Sequence, residues 1–145
     1  AFQDREKFET LRALVFFRRF SDVEIWEAVR FSRWSDIEPG AALIHDGEHG
    51  DFFGFLIEGD VEIVKQGRVI APLAVGECFV EMALIGRKDQ SRGADVIART
   101  RTKIATIRAD ALESATDACR MHFYQAFLEV LTLRLDQANI RLSSV

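Results

Sequence analysis

Gly76-Glu77-Cys78-Phe79-Val80-Glu81-Met82-Ala83-Leu84-Ile85, followed after a polar stretch by Ser91-Arg92-Gly93-Ala94-Asp95-Val96, is the segment on which the reading of this chain turns. The short apolar run 82–85 has the length of one helical turn set between strands. Backbone N–H groups at the start of such a turn have no partner inside the helix and form an anion site. Arg92 stands where the chain re-enters a strand, and its planar fork suits two parallel hydrogen bonds to phosphate oxygens. Glu81 is the odd member, because an anion site repels a carboxylate. It fits if it accepts from a hydroxyl beside the phosphate, such as a ribose 2′-OH.

On both sides of this segment, short apolar runs are separated by glycine turns. The turns are Pro39-Gly40, Asp46-Gly47, His49-Gly50-Asp51, Glu58-Gly59-Asp60, Gln66-Gly67-Arg68 and Gly76. Strands are expected at 42–45, 52–57, 61–65 and 69–73, and again at 94–99 and 103–107. In Val61-Glu62-Ile63-Val64-Lys65 the apolar positions alternate over most of the run, as a half-buried strand requires. Many short strands with tight turns predict a mainly β chain, an antiparallel β-roll of the jelly-roll kind.

Helices are expected at both ends. Phe8, Leu11, Leu14 and Val15 recur at helical spacing, and the run Leu14-Val15-Phe16-Phe17 needs cover. Ser21-Asp22-Val23-Glu24 is a capping-box pattern that starts a second helix through about Arg33. Asp110 and Glu113 form another cap pattern, and a long helix is expected from about Ala118 to Leu142. Along it, Met121, Tyr124, Leu128, Leu131, Leu135, Ala138 and Leu142 make one apolar strip, and Phe123, Phe127, Val130 and Leu133 a second. One strip can pack on the roll while the other meets a partner helix, so a homodimer through 121–142 is expected. The organisation is one domain, 1–145: helices over 1–33, a roll over 34–108 that carries the segment 76–94, and helices over 109–145.

The totals restrict function. A chain of 145 residues, 48% apolar and 29% charged, suits one ordinary globular domain. A net charge of −4 with scattered basic residues argues against direct nucleic-acid binding. No run approaches the roughly 18 apolar residues of a membrane span, and Asp4, Arg5, Glu6 and Lys7 fit no signal peptide. Two isolated cysteines, Cys78 and Cys119, point to a reducing cytoplasm and cannot hold a four-thiolate cluster. Ala1 in place of methionine is what an excised piece of a longer protein would carry. His45, His49 and His122 show no metal-ligand spacing, so no metal is expected. No nucleophile–base–acid set stands out either, and the chain is not expected to be an enzyme.

The segment 76–94 resembles the phosphate-binding cassette of the cyclic nucleotide-binding domain family. That family's pattern is roughly Phe-Gly-Glu-aliphatic-Ala-Leu, a loop, then Arg-small-Ala. Its members include the sensor domain of catabolite activator protein and the regulatory-subunit domains of protein kinase A. The likeness extends over nearly the whole chain, from entry helices at 16–34, through the framework Pro39-Gly40, His45-Asp46-Gly47, Gly50-Asp51 and 52–59, to lid and signalling helices after Asp110. The resemblance implies that Arg92 holds a cyclic phosphate and Glu81 the ribose. The backbone of Val80, Met82, Ala83 and Ala94 would supply further contacts, with Gly93 beside them. Many guanine-preferring members carry a hydroxyl side chain where this chain has Gly93, so cAMP is expected over cGMP. Such a ligand would favour one position of the helices after Asp110 and regulate an attached effector outside this chain.

The pattern departs from the family at Val80, which stands where the family has glycine. A β-branched residue disfavours positive φ and puts a side chain where sugar and backbone meet closely. The loop from Glu81 to Arg92 is also about two residues longer than the commonest form. Two readings therefore remain: a working sensor, or a degenerate domain kept for dimerisation or interaction without nucleotide. A third is the sensor half of a transcription regulator whose helix-turn-helix would lie beyond Val145. The run 108–120 looks more like domains attached to bacterial protein kinases or phosphatases.

Overall fold

Residues 2–44, 52–79 and 95–143 are described by the structure, a computed structural model. Helix α1 (Phe2–Ala13) leads into a 3-10 turn (Val15–Phe17), and Ser21 then starts α2 (Asp22–Phe31). The capping box forms in full: the Ser21 hydroxyl accepts from the Glu24 N–H at 3.2 Å, and the Glu24 carboxylate accepts from the Ser21 N–H at 3.2 Å.

The strands are β1 (Ser32–Ile37), β2 (Ala42–Ile44), β3 (Phe52–Glu58), β4 (Val61–Lys65), β5 (Arg68–Leu73), β6 (Cys78–Phe79), β7 (Asp95–Ala98) and β8 (Thr102–Arg108). They form two four-stranded sheets, in the orders β1-β8-β3-β6 and β2-β7-β4-β5. Every pairing described is antiparallel. Another 3-10 stretch among the described residues (Ala109–Ser114) precedes α3 (Asp117–Ser143). The fold is thus the expected one: an antiparallel β-roll with N-terminal helices and a long C-terminal helix.

Strand β3 shows how the roll separates its two cores. Phe53 and Phe55 point one way, into a cluster with Phe16, Phe17, Phe20, Phe123 and Phe127 from the helices. Phe52, Gly54 and Leu56 point the other way, where Leu56 joins Val61, Leu73, Phe79 and Ile104 between the sheets. The period of two along a strand makes this division possible.

Several expectations are corrected. The helix expected to reach Arg33 ends at Phe31, where the Ser32 hydroxyl donates to the Val29 carbonyl at 2.7 Å. Ser32 already belongs to β1, ahead of the expected start of the roll at Trp34, because it pairs with Ile107 in a register that runs on to Ile37 and Thr102. Asp110 and Glu113 cap no helix. Arg108 precedes the 3-10 stretch without a side-chain cap, and its guanidinium donates to Asp110 at 2.8 and 3.1 Å. These bonds hold the Asp110 carboxyl below the usual carboxylate range.

On α3, the strip Phe123–Phe127–Val130 packs on the core, while Met121, Tyr124, Leu128 and Leu135 are exposed. Leu133, which the sequence groups with the strip that packs, is itself exposed. It faces a groove in place of the sheet.

Candidate functional site

The segment between β6 and β7 links two strands that lie in different sheets. β6 is the edge strand of the first sheet, beside β3, and β7 is an inner strand of the second, between β2 and β4. Val80, Glu81, Met82, Ala83, Arg92, Gly93 and Ala94, the residues expected to meet a ligand, lie outside the described residues, as do His45 and His49. Gly76, with φ +89°, turns the chain into β6, and its N–H donates to the Leu56 carbonyl at 2.6 Å. The Glu77 carboxylate folds back to accept the Ala74 N–H at 3.2 Å.

Phe79 then lies over Gly54 so closely that a Cβ on residue 54 would sit 2.5 Å from the Phe79 ring. Gly54 is the seat of the last described residue before the segment. Gly54→Ala is expected to cost roughly 2 kcal/mol through overpacking, measured by urea denaturation. An unchanged midpoint would mean that the ring moves aside freely.

The structure adds a set of ties along α3 that sequence reasoning did not anticipate. Glu27, buried on α2, accepts from the Thr116 N–H at 2.9 Å and from its hydroxyl at 2.8 Å. The Thr116 hydroxyl in turn accepts from the Cys119 N–H at 3.3 Å, the geometry of a helix N-cap. His122 Nδ1 lies 2.6 Å from Glu24 Oε1, so the carboxylate of the capping box also reaches α3. Further along, Glu129 pairs with Arg18 at 2.7 Å and Arg19 at 2.9 Å. Arg134 Nη2 donates to the Cys78 carbonyl at 2.8 Å. These residues bring α2, α3 and the strand leading into the segment into one connected frame. The partners are distant in sequence, and a capping box at Ser21 was the one local signal among them.

Both cysteines are buried and free. Burial pushes the Cys119 thiol up to about 12, with the Glu27 and Glu24 charges adding to the rise. Burial also raises Cys78, against an opposing effect of the Arg134 charge. The thiolate at Cys119 is then roughly a thousandfold rarer than in a free cysteine near neutral pH. Labelling by a disulfide reagent at pH 8 is expected to be slower by orders of magnitude in the native protein than in denaturant. Rapid native labelling would contradict the packing. Because the fold favours both protonated thiols, their contribution is complete below the unfolded value of 9.0 and is lost as pH rises above it.

Among the described residues no helix is long and apolar enough to cross a membrane, and no group of three or more His, Cys, Asp or Glu could hold a metal ion.

The fold is an antiparallel β-roll followed by one long helix, with the segment between β6 and β7 linking its two sheets. The family model described as "Cyclic nucleotide-binding domain" matches residues 35–119, and this chain belongs to that family. A cAMP-dependent protein kinase regulatory subunit of Yarrowia lipolytica is 40% identical over 79 residues, which are 53% of this chain and 20% of that protein. The chain thus spans about a fifth of that curated relative's length. Among solved structures, a cyclic nucleotide-binding domain from Methylobacillus flagellatus superposes with a TM-score of 0.81 at 22% identity, over 99% of this chain and 84% of that one. The sensor domain of the transcriptional regulator DNR from Pseudomonas aeruginosa does so with a TM-score of 0.76 at 21% identity, over 100% and 97%.

Proposed function

We propose that this chain is a single regulatory domain that binds a cyclic nucleotide, cAMP in preference to cGMP, and signals through α3 to an attached effector. The observation that carries the reading is the cassette sequence itself, Glu81 through Arg92-Gly93-Ala94, set between an edge strand and an inner strand of a roll of the matching family. Arg92 would hold the cyclic phosphate and Glu81 the ribose hydroxyl. The backbone of Val80, Met82, Ala83 and Ala94 would complete the site, and Gly93 lacks the hydroxyl that many guanine-preferring members carry there. The cAMP-dependent name of the fungal relative supports the choice of nucleotide. Regulation follows if the ligand binds one position of α3 better than another, since only that difference in affinity shifts the population. The effector lies outside this chain, and the setting is cytoplasmic. The exposed strip of Met121, Tyr124, Leu128 and Leu135 is offered to a second copy as a dimer seam.

Calorimetry with cAMP is expected to show saturable binding, micromolar or tighter, at about −8 kcal/mol or better. Arg92→Ala is expected to weaken it by about a hundredfold through loss of a charge-assisted pair. No heat with either cAMP or cGMP at millimolar concentration would refute the reading.

Val80 favours a second reading, a domain that keeps the fold as an interaction module and binds no nucleotide. On that reading Val80→Gly creates binding absent from the parent. Tight binding by the parent eliminates it.

A further inference from the structure

We propose that Arg134 is the positioning residue that fixes the distal half of α3 against β6, so that the helix reads the state of the strand leading into the cassette. The case begins with how α3 is held. Its proximal half is core: Cys119, Phe123, Ala126 and Phe127 are buried. Beyond Val130 no residue whose side chain is described is buried. There the helix runs along a groove of about 690 Å³, with Val15, Phe16, Gly76 and Cys78 opposite Val130 and Leu133. Packing therefore does not fix the distal half.

A polar contact bridges the groove instead. In an antiparallel edge strand, successive carbonyls point alternately toward the neighbour and away from it. The Glu77 carbonyl accepts from the Leu56 N–H of β3 at 3.2 Å, so the Cys78 carbonyl projects from the outer edge. An edge carbonyl at a partly buried site needs a donor. Arg134 supplies it at 2.8 Å across 56 residues of sequence, and a charged donor makes this stronger than a neutral bond. On the opposite wall, Glu129 is tied to Arg18 and Arg19 ahead of α2. The helix is thus braced at Glu129 to the N-terminal helices and at Arg134 to the roll. A shift of β6 relative to those helices must load one brace or the other. The brace stands on the geometry alone. Its coupling to ligand rests on the sensor reading above.

Hydrogen exchange of the full chain, resolved to peptides, tests both parts. Without ligand, Arg134→Ala is expected to speed exchange over 131–137 by about tenfold, leaving 119–127 unchanged. Arg134→Lys, which keeps a charged donor, is expected to recover part of the protection. Equal exchange in parent and Arg134→Ala, or a uniform rise along the whole helix, would overturn the brace. With cAMP at saturation by calorimetry, the parent is expected to change exchange over 131–137, and Arg134→Ala to bind yet lose that change. The same response in both would overturn the coupling. A parent that binds no nucleotide defeats the sensor reading and the coupling with it, while the ligand-free arm still decides the brace.

Discussion

Replacing Phe123 with alanine is expected to lower the free energy of unfolding by about 4 kcal/mol, the middle of the range for a buried aromatic. Phe123 is fully buried, and five other phenylalanine rings surround it. Phe20 lies 4.9 Å away at 83°, Phe17 5.9 Å at 85°, Phe53 5.6 Å at 69°, Phe16 6.0 Å and Phe127 6.2 Å. The two nearly perpendicular pairs have the edge-to-face geometry that adds to the burial term. The surrounding rings belong to the 3-10 turn and the residues after it, to β3 and to α3. Each is held by its own backbone, so they cannot all close on the vacated space, and the cavity term adds to the lost transfer energy. With a urea slope of about 2 kcal/mol/M, the midpoint should fall by about 2 M. A fall below about 0.5 M would mean that the cluster repacks freely and α3 is not anchored through this ring.

What the sequence made legible follows how local each interaction is. The Ser21–Glu24 capping box was readable because both bonds close within three residues. Strand β4 matched its expected bounds because Val61-Glu62-Ile63-Val64-Lys65 alternates between glycine turns on either side. Strand β1 was not readable, because Ser32-Arg33-Trp34-Ser35-Asp36-Ile37 is largely polar and becomes a strand only by pairing with β8 seventy or so residues later. β6 is two residues long and has no period to detect. Asp110 and Glu113 carried a cap pattern, yet Asp110 met a stronger local partner in Arg108. The cassette is an expectation from residue types alone, since residues 80–94 lie outside the described residues. The ties on α3 were not legible, since Glu27 reaches Thr116 over 89 residues and Arg134 reaches Cys78 over 56. A sequence alone does not say which of its charged residues will cross such distances.

Gly59→Ala is the second large effect, expected to cost about 4 kcal/mol from strain and overpacking together. Gly59 sits in the turn where β3 of the first sheet passes to β4 of the second, and the turn from β7 to β8 makes the reverse passage. The two turns pack against each other. The Asp60 N–H donates to the Thr100 hydroxyl at 2.9 Å, and the Arg99 N–H donates to the Asp60 carbonyl at 2.8 Å. At φ +111° an alanine is strained in any surroundings. Its Cβ would also lie 2.6 Å from Thr102 Oγ1, 2.8 Å from the Arg101 carbonyl oxygen and 2.9 Å from Thr102 Cα. Two of those three atoms are backbone, and the third belongs to a side chain that is 1% exposed and donates to the Thr100 carbonyl at 2.9 Å. None can move without disturbing β8, the strand that both β1 and β3 pair with. Gly67, at φ +77° with open space around it, is the control: Gly67→Ala meets the conformational penalty without the clash and should cost about 1 kcal/mol. Denaturant midpoints of the two variants separate the contributions, and equal losses would show that the packing of one turn on the other adds nothing. On the proposed sensor reading, since β7 follows the segment 80–94 and enters this junction directly, Gly59→Ala should also weaken nucleotide binding while Gly67→Ala leaves it unchanged.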